Sequence, residues 1–221
     1  MSAPALFTQL GQYLEQGLVA MGLDAEIDAL ARQRLLQYLA ELLRWNRVHN
    51  LSAIQDPQVA VERHLLDSLS FLPFLPAHRP VYDIGSGAGL PGIPLAIARP
   101  QQAFTLVEPA VKRVAFLRHS ITLLGLPAVT VFPQRAEKLP PAAQMVLVSR
   151  ATAELADFLQ MVATCLQPGT LLLLAKGPAW PQELARLPEE WKPRFVAHPI
   201  AVPGQPQRFL LEAQVPLAAT G

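Results

Sequence analysis

Residues 81–96 constrain the fold of this chain most, because they combine an apolar run, a glycine-rich turn and a helical pattern. The run 81–84 favours a strand, whereas Leu90, Ile93 and Ile97 recur at the spacing of one helix face. Glycine in the turn permits positive φ angles and lets a ligand approach the backbone closely. The start of the helix points unpaired N–H groups and its positive dipole end at the same place. The stretch therefore predicts a strand, a ligand-binding turn and a helix.

The glycine spacing alone leaves two cofactor classes open. Gly87, Gly89 and Gly92 satisfy the G-x-G-x-x-G fingerprint of dinucleotide-binding proteins and equally the looser glycine pattern of S-adenosylmethionine (SAM) enzymes. Asp83 lies two residues before Gly85, at the predicted strand end, where we expect its carboxylate to face the pocket. A carboxylate there repels a pyrophosphate but attracts a sulfonium and an α-ammonium group. The charge therefore favours SAM, with Asp83, Gly85 and Gly87 as cofactor-binding candidates.

Glu108 ends the next apolar run, 104–107, roughly 20 residues beyond the glycine turn. An acid at that distance can hydrogen-bond the ribose hydroxyls of either cofactor class, so Glu108 is a further cofactor-binding candidate. A nicotinamide-dependent oxidoreductase is disfavoured, because no Tyr-x-x-x-Lys acid/base pair begins at Tyr13, Tyr38 or Tyr82.

Composition indicates a globular chain with one domain and an accessory segment, since 51% of its 221 residues are hydrophobic and 16% are charged. The single Cys165 excludes a disulfide framework, and the five histidines lack metal-ligand spacing, so we expect a reducing compartment and no metal.

No Lys or Arg precedes Arg32, which argues against a secretory signal or a transit peptide. The apolar run 171–174 is too short to span a bilayer. We therefore predict a cytoplasmic protein without a membrane segment.

The charge balance limits how the chain can bind nucleic acid. With 18 Lys+Arg against 17 Asp+Glu, the net charge of +1 does not indicate a broadly basic face, so any RNA contact must be local. Two groups of basic residues are local enrichments that are equally compatible with a solvated helix surface. They are Arg32, Arg34, Arg44 and Arg47, and then Lys112, Arg113, Arg118 and His119.

The patterns predict a helical N-terminal cap, residues 1–76, followed by an α/β domain, residues 77–221. In the cap, leucines recur every four residues: Leu6, Leu10, Leu14 and Leu18. A later cap helix begins with Asp56 as N-cap and Pro57 at its first position. Beyond residue 80, apolar runs alternate with helical patterns and predict a doubly wound, mostly parallel sheet. These runs are 81–84, 104–108, 129–132, 145–149 and 171–175. Runs 195–200 and 208–212 predict a C-terminal antiparallel hairpin.

Ligands of open α/β sheets bind beyond the carboxyl ends of the strands, so the residues that follow each strand are site candidates. These are Arg135-Ala136-Glu137 after the third strand, Ser149-Arg150-Ala151 after the fourth and Lys176-Gly177 after the fifth. A surface ion pair of Arg135 with Glu137 and a structural salt bridge of Arg150 are the alternatives. In the cap, His64, Asp67 and Ser68 share one helix face, either as a polar patch aimed at the ligand or as a local hydrogen-bonded group.

Taken in order, these motifs resemble one family. They are Trp45-Asn46, Asn50-Leu51, the run 64–69, the glycine stretch 83–95, Lys112-Arg113 and the runs 116–118, 135–137 and 149–151, with Lys176-Gly177. Between residues 38 and 210 the chain resembles the bacterial small-subunit (16S) ribosomal RNA guanine-N7 methyltransferases, also called glucose-inhibited division protein B. The Leu-Pro-Gly-Ile-Pro-Leu end of the glycine stretch is the most specific element of the resemblance.

The resemblance implies an α/β fold of the class I SAM-dependent methyltransferase type with a helical N-terminal cap, and SAM as the cofactor. It implies ribosomal RNA as the partner, within the small ribosomal subunit or its precursor, and methyl transfer to N7 of a guanine. It also implies cofactor contacts at Gly85 and Leu90 in the glycine turn, Ala136 and Glu137 near the adenine, and Arg150. Glu108 stands where the family more often has Asp, and a glutamate still reaches a ribose.

This chain lacks the residues that two other methylation chemistries use. Methylation at pyrimidine C5 uses a cysteine nucleophile, but Cys165 belongs to an apolar helix stripe. Amino-group methylation commonly uses an Asn/Asp-Pro-Pro-aromatic turn after the fourth strand, where this chain has Ser-Arg-Ala-Thr at 149–152. Guanine N7 has a lone pair and no proton, so we assign no catalytic base and expect the guanine at a mouth formed by Asp67, Arg150 and Lys176. A noncatalytic SAM-sensing RNA-binding or ribosome-assembly factor is the alternative.

Overall fold

The computed structural model describes residues 3–150 and 153–216, which form one sheet with helices on both faces. The helices are α1 (Ala3–Ala20), α2 (Ala29–His49), α3 (Pro57–Ala60), α4 (Asp67–Leu69), α5 (Gly92–Ala98), α6 (Val111–Leu124), α7 (Leu155–Val162) and α8 (Trp180–Ala185). A π-helical turn (Val61–Leu66) joins α3 to α4, and 3₁₀ turns occur at Leu72–Phe74, Ala136–Lys138 and Lys192–Arg194. The strands are β1 (Val81–Ile84), β2 (Phe104–Val107), β3 (Val129–Phe132), β4 (Val146–Arg150), β5 (Leu171–Lys176), β6 (Phe195–Ile200) and β7 (Arg208–Gln214).

Side-chain caps fix where two of the N-terminal helices begin. The Asp28 carboxylate accepts a hydrogen bond from the backbone N–H of Ala31 at 2.7 Å, at the start of α2. The Asp56 carboxylate accepts one from Val59 at 2.9 Å, and Pro57 takes the first helical position, as its sequence predicts. Both carboxylates accept a hydrogen bond from an N–H group of the first helical turn, where the helix itself offers no acceptor.

The strand order β3-β2-β1-β4-β5-β7-β6 confirms the predicted sheet. Strands β1 to β5 are parallel to one another, whereas β7 runs antiparallel to both β5 and β6. The predicted hairpin of β6 and β7 therefore closes one edge of the sheet, with its second strand inserted next to β5. Chain order reverses between β1 and β4, which places a crevice at the carboxyl ends of these strands.

Alternate residues of the central strands enter two separate cores. Val146 and Val148 of β4 pack into the core on one face, whereas Leu147 of the same strand and Leu172 of β5 pack into the core on the other. Because both faces are covered, these strands consist of nearly continuous apolar residues. The carboxyl ends of the strands are thereby held at fixed positions for the site.

The N-terminal helices share the first of these cores with the sheet. Helix α2 packs against α5 and α6, and α1 packs against the π-helical turn. The approach at Gly17 is so close that a Cβ atom there would lie 2.2 Å from Cδ1 of Leu66. Within residues 3–150 and 153–216, no helix combines the length and hydrophobicity needed to cross a membrane.

Candidate functional site

A cavity of about 450 Å³ opens at the carboxyl ends of the parallel strands. Its walls come from the glycine turn after β1, the ends of β2 and β4, the 3₁₀ turn after β3, and the N-terminal residues Leu51, Ser52 and His64. The predicted cofactor-binding residues that line it are Gly85, Gly87, Leu90, Glu108, Ala136, Glu137 and Arg150. The fold thus assembles residues from four strand ends at the crevice that an open α/β sheet offers to ligands.

The glycine turn exposes its backbone to the cavity. Gly85 and Gly87 have φ angles of 68° and 58°, a region that L side chains adopt at a cost. A Cβ atom at Gly87 would meet no atom closer than the carbonyl oxygen of Gly85, at 3.9 Å, so the space in front of this residue is open. The turn is anchored from behind, because the N–H groups of Gly85 and Ser86 donate to the carbonyl of Val107.

Glu108 is held rigidly at the end of β2. Its Oε2 accepts a hydrogen bond from the N–H of Gly87 at 2.9 Å, and its Oε1 accepts one from Ala110 at 2.8 Å. The Arg113 guanidinium lies 3.6 Å from Oε2, and the Glu108 side chain is 3% exposed. Each carboxylate oxygen keeps a second lone pair, so the fixed group can still accept a hydrogen bond from a hydroxyl in the cavity.

Asp83 does not face the cavity, contrary to the prediction from its position at the strand end. It is completely buried beneath the turn, where Oδ2 accepts a hydrogen bond from the N–H of Gly92 at 2.8 Å. Its Oδ1 has no hydrogen-bond partner among the described residues. Burial raises the pKa of this carboxyl to about 7, against the lowering effects of the Gly92 hydrogen bond and Arg150. Asp83 therefore acts on the cavity through the turn and the start of α5.

Replacing Asp83 by Asn should remove a pH-dependent loss of stability. The pKa of Asp83 is about 7 in the folded protein, whereas its ordinary value is 3.8. At a pH between these two values, the folded state keeps the Asp83 proton and the unfolded state has released it. The free energy of unfolding of the native protein therefore falls from pH 4 to pH 7, relative to Asp83→Asn. Urea titrations of both proteins without cofactor, at pH 5 and pH 8, measure the difference.

Asp56→Asn is the matched control, because it exchanges a carboxylate for an amide at an exposed N-cap. Its stability relative to the native protein should stay constant between the two pH values. A stability difference between Asp83→Asn and the native protein that is equal at pH 5 and pH 8 would show that Asp83 does not titrate in this range.

Arg150, Asp67 and Arg208 form a charged hub, the name used below for these three residues, at one side of the cavity. Oδ2 of Asp67 accepts from Nη1 of Arg150 at 2.8 Å and from Nη2 of Arg208 at 3.0 Å, while its Oδ1 lies 3.2 Å from Nε of Arg208. The Asp67 side chain is 3% exposed. Arg150 therefore forms a structural salt bridge, which is the alternative interpretation of this residue, and it also lines the cavity.

His64 is a neutral part of the cavity wall. Its Nδ1 lies 3.2 Å from the carbonyl oxygen of Arg63, which can only accept, so the ring proton is on Nδ1 and Nε2 accepts from the Ser52 hydroxyl at 2.9 Å. Burial, with the charge of Arg150, lowers the pKa of His64 to about 4. Ser68 donates to the His64 carbonyl at 2.5 Å, as the local hydrogen-bond alternative predicts. Of the three residues of the predicted polar patch, His64 lines the cavity, whereas Asp67 and Ser68 are buried away from it.

Tyr38 connects α2 to the glycine turn, a contact that sequence reasoning missed. Its hydroxyl donates to the carbonyl of Ala88 at 2.7 Å, and the whole side chain is buried. Burial raises its pKa, so it is a neutral donor. Arg208 of the charged hub was missed as well, because nothing in its local sequence distinguishes it from a surface arginine.

Lys176 lies outside the cavity, so it does not form the expected mouth with Asp67 and Arg150. Its ammonium donates to Oε2 of Glu183 at 2.7 Å and to the carbonyl of Ala153. Ser149 lies beneath the site, where its hydroxyl donates to the carbonyl of Ile84 at 3.0 Å. Ala151 of the Ser-Arg-Ala motif lies outside the described residues.

The sheet order, the glycine turn after β1 and the acid after β2 define the class of SAM-dependent methyltransferases. The solved structure of a SAM-dependent methyltransferase from Aquifex aeolicus has the same fold, with a TM-score of 0.53 at 20% sequence identity. The similarity covers 75% of this chain and 97% of that chain.

The chain belongs to the GidB family, rRNA small subunit methyltransferase G, whose family model matches residues 31–208. It is 47% identical to the ribosomal RNA small subunit methyltransferase G of Stenotrophomonas maltophilia (strain K279a), over 92% of this chain and 94% of the relative. It is 44% identical to the protein of that name from Xanthomonas euvesicatoria pv. vesicatoria (strain 85-10), with the same coverage. The chain is therefore a SAM-dependent ribosomal RNA methyltransferase, and the noncatalytic alternative is not favoured.

The chemistry of the cavity fits SAM. Bare glycine backbone is available for close contact, and a fixed carboxylate, Glu108, is available for hydroxyl groups. The buried Asp83 beneath the turn has an oxygen without a partner among the described residues, and its negative form favours a cation above it. Across residues 3–150 and 153–216, His, Cys, Asp and Glu form no group of three that could hold a metal ion.

Proposed function

We propose that this enzyme methylates N7 of a guanine in 16S ribosomal RNA, presented in the small ribosomal subunit or its precursor. The observation that carries the proposal is that neither of the two buried titratable groups in the cavity wall, His64 and Glu108, is poised as a base. His64 is neutral and hydrogen-bonded at Nε2, and Glu108 is held by two backbone N–H groups. Because N7 has a lone pair and no proton, its methylation needs alignment and charge stabilisation rather than proton removal.

SAM supplies an electrophilic methyl group on a cationic sulfur. We propose that the glycine turn (Gly85, Gly87 and Leu90) holds the amino-acid part of SAM, that Glu108 binds the ribose hydroxyls, and that Ala136 and Glu137 bind the adenine. Arg150 then borders the methyl group, and Asp83 contributes by fixing the turn through Gly92. The guanine approaches from the side of the cavity lined by Arg150 and His64.

The N-terminal helices, residues 1–76, are proposed to act as a cap on a methyltransferase domain formed by residues 77–221. Leu51, Ser52 and His64 of the cap contribute one wall of the cavity, and Tyr38 fixes the glycine turn from the cap side.

The net charge of +1 supports recognition of folded RNA in a particle, because few phosphate contacts give little affinity for naked RNA. We propose a cytoplasmic location, because ribosomal RNA in the small subunit or its precursor is the proposed substrate.

The proposal is tested by transfer of a labelled methyl group from SAM to small subunits from a strain that lacks the enzyme. Nuclease digests should contain labelled 7-methylguanosine, and subunits from the parent strain, already methylated, should accept little label. Label in another nucleoside would contradict the N7 assignment. Tight SAM binding without any transfer would instead support a noncatalytic factor.

A further inference from the structure

A second depression, of about 260 Å³, lies beside the SAM cavity. Its floor and walls include Arg63, His64, Asp67, Arg150, Gln205 and Arg208. His64 and Arg150 also line the SAM cavity, so these two side chains form a wall shared by both spaces. A ligand that fills the SAM cavity from this side can therefore extend into the depression.

The depression carries an excess of positive charge. Three arginines, Arg63, Arg150 and Arg208, line it, and among the described lining residues Asp67 supplies the one carboxylate. Two of these arginines share that carboxylate in the charged hub. Because His64 is neutral above pH 4, three positive charges face one negative charge. A partly enclosed space of this charge attracts an anion more strongly than an open surface does.

Arg63 is the residue in the depression that is most available to a ligand. Its side chain is exposed, and it makes no hydrogen bond or ion pair with the residues that the structure describes. It belongs to the π-helical turn, a rare helix form that occurs often at functional sites. The Arg63 carbonyl accepts hydrogen bonds from Nη1 of Arg150 and Nδ1 of His64, so the shared wall fixes the backbone of Arg63.

The loop between β6 and β7 also lines the depression and is held against the π-helical turn. The Gln205 side chain donates to the carbonyl of Glu62 at 2.8 Å. At Gly204, a Cβ atom would lie 2.2 Å from the Glu62 carboxylate, so loop and π-helical turn are in close contact. Since Arg208 follows this loop and is bound by Asp67, its guanidinium has a set position before any ligand arrives. A preorganised group loses less entropy on binding.

We infer that this depression binds a phosphodiester group of the RNA strand, next to the guanine that enters the SAM cavity. The inference rests on the proposed function, because it takes RNA as the ligand. Planar guanidinium groups match the geometry of phosphate oxygens, and contacts to backbone phosphates set the register of a strand without reading its sequence. Arg63 supplies the accessible donor, and the hub supplies the surrounding charge. The shared wall of His64 and Arg150 separates the base from its phosphate.

Arg63→Gln tests the inference, since it removes the charge from an exposed side chain. The KM for small subunits should rise by about tenfold or more, as expected for a lost charge-assisted hydrogen bond. The slope of log Kd for the particle against log salt concentration should decrease by about 0.7–0.9, the value for one phosphate contact. The Kd for SAM, from calorimetry, should be unchanged, and Arg63→Lys should keep most of the affinity.

Arg99→Gln is the matched control. Arg99 follows α5 and precedes the amino end of β2, away from the carboxyl ends of the strands, and forms a partly exposed ion pair with Glu26. Its KM and salt slope should equal those of the native enzyme. Native KM and salt slope in Arg63→Gln, with normal methyl transfer, would overturn the inference and leave the proposed function intact. A native protein that binds particles without methylating N7 would refute the proposed function, while a reduced salt slope in Arg63→Gln would still support the phosphate site.

Discussion

Methyl transfer should be abolished when the target guanine is replaced by 7-deazaguanine. This base keeps the Watson–Crick edge and the ring shape of guanine but has a C–H group at position 7. The lone pair that would attack the methyl group is then missing, and no rearrangement of the enzyme can replace it. Alignment of the two reactants is the main contribution that the cavity makes, so the loss should be complete rather than partial.

The measurement uses small subunits reconstituted with 16S RNA that carries either guanine or 7-deazaguanine at the target. Particle binding, followed by competition, should be the same for both RNAs, because the phosphates and the Watson–Crick edge are unchanged. Methyl incorporation into the 7-deazaguanine particle would refute transfer to N7. Equal loss of binding and transfer would indicate that N7 serves recognition as well, and binding at saturating particle concentration separates the two cases.

The second large effect is expected at the charged hub, where Asp67→Ala should destabilise the folded protein by about 3 kcal/mol. The substitution leaves the guanidinium groups of Arg150 and Arg208, whose side chains are 13% and 26% exposed, close together without their shared carboxylate. Partly buried like charges repel each other, and neither is fully solvated. For a chain of this length, the midpoint of thermal unfolding should fall by roughly 6–12 °C.

Glu154→Ala is the matched control for Asp67→Ala. It also breaks an ion pair with an arginine, but the side chains of Arg186 and Glu154 are 62% and 53% exposed. Exposed pairs contribute about 0–1 kcal/mol, so this variant should unfold close to the native temperature. Equal unfolding temperatures of Asp67→Ala and the native protein would mean that the hub contributes no stability. Asp67→Ala combined with Arg208→Ala should recover part of the loss, because one of the two like charges at this position is removed.

The local sequence was sufficient to predict the sheet and the position of the cavity. Strand runs, the glycine turn and the Asp56 cap depend on backbone sterics and on groups within a few residues, so neighbouring residues specify them. The carboxyl ends of parallel strands share one edge of a sheet, and this rule predicts from the sequence alone that Gly85, Glu108, Ala136 and Arg150 lie together. The glycine spacing left two cofactor classes open, and the choice of SAM relied on a carboxylate of Asp83 that faces the pocket, whereas the structure buries this side chain beneath the turn.

Only the tertiary structure decided which way the charged side chains point. Asp83 lies below the turn rather than in the cavity, because the N–H of Gly92 lies within reach of its carboxylate there. Arg208 joins Asp67 across 141 residues, and the Tyr38 hydroxyl reaches Ala88 across 50, while Lys176 is drawn away to Glu183. These pairings depend on burial and on partners that distant segments supply. Because an unpaired buried charge is costly, each such side chain pairs with the group that the packing brings near it. A strand end specifies where a residue sits, but the packing around it specifies what its side chain binds.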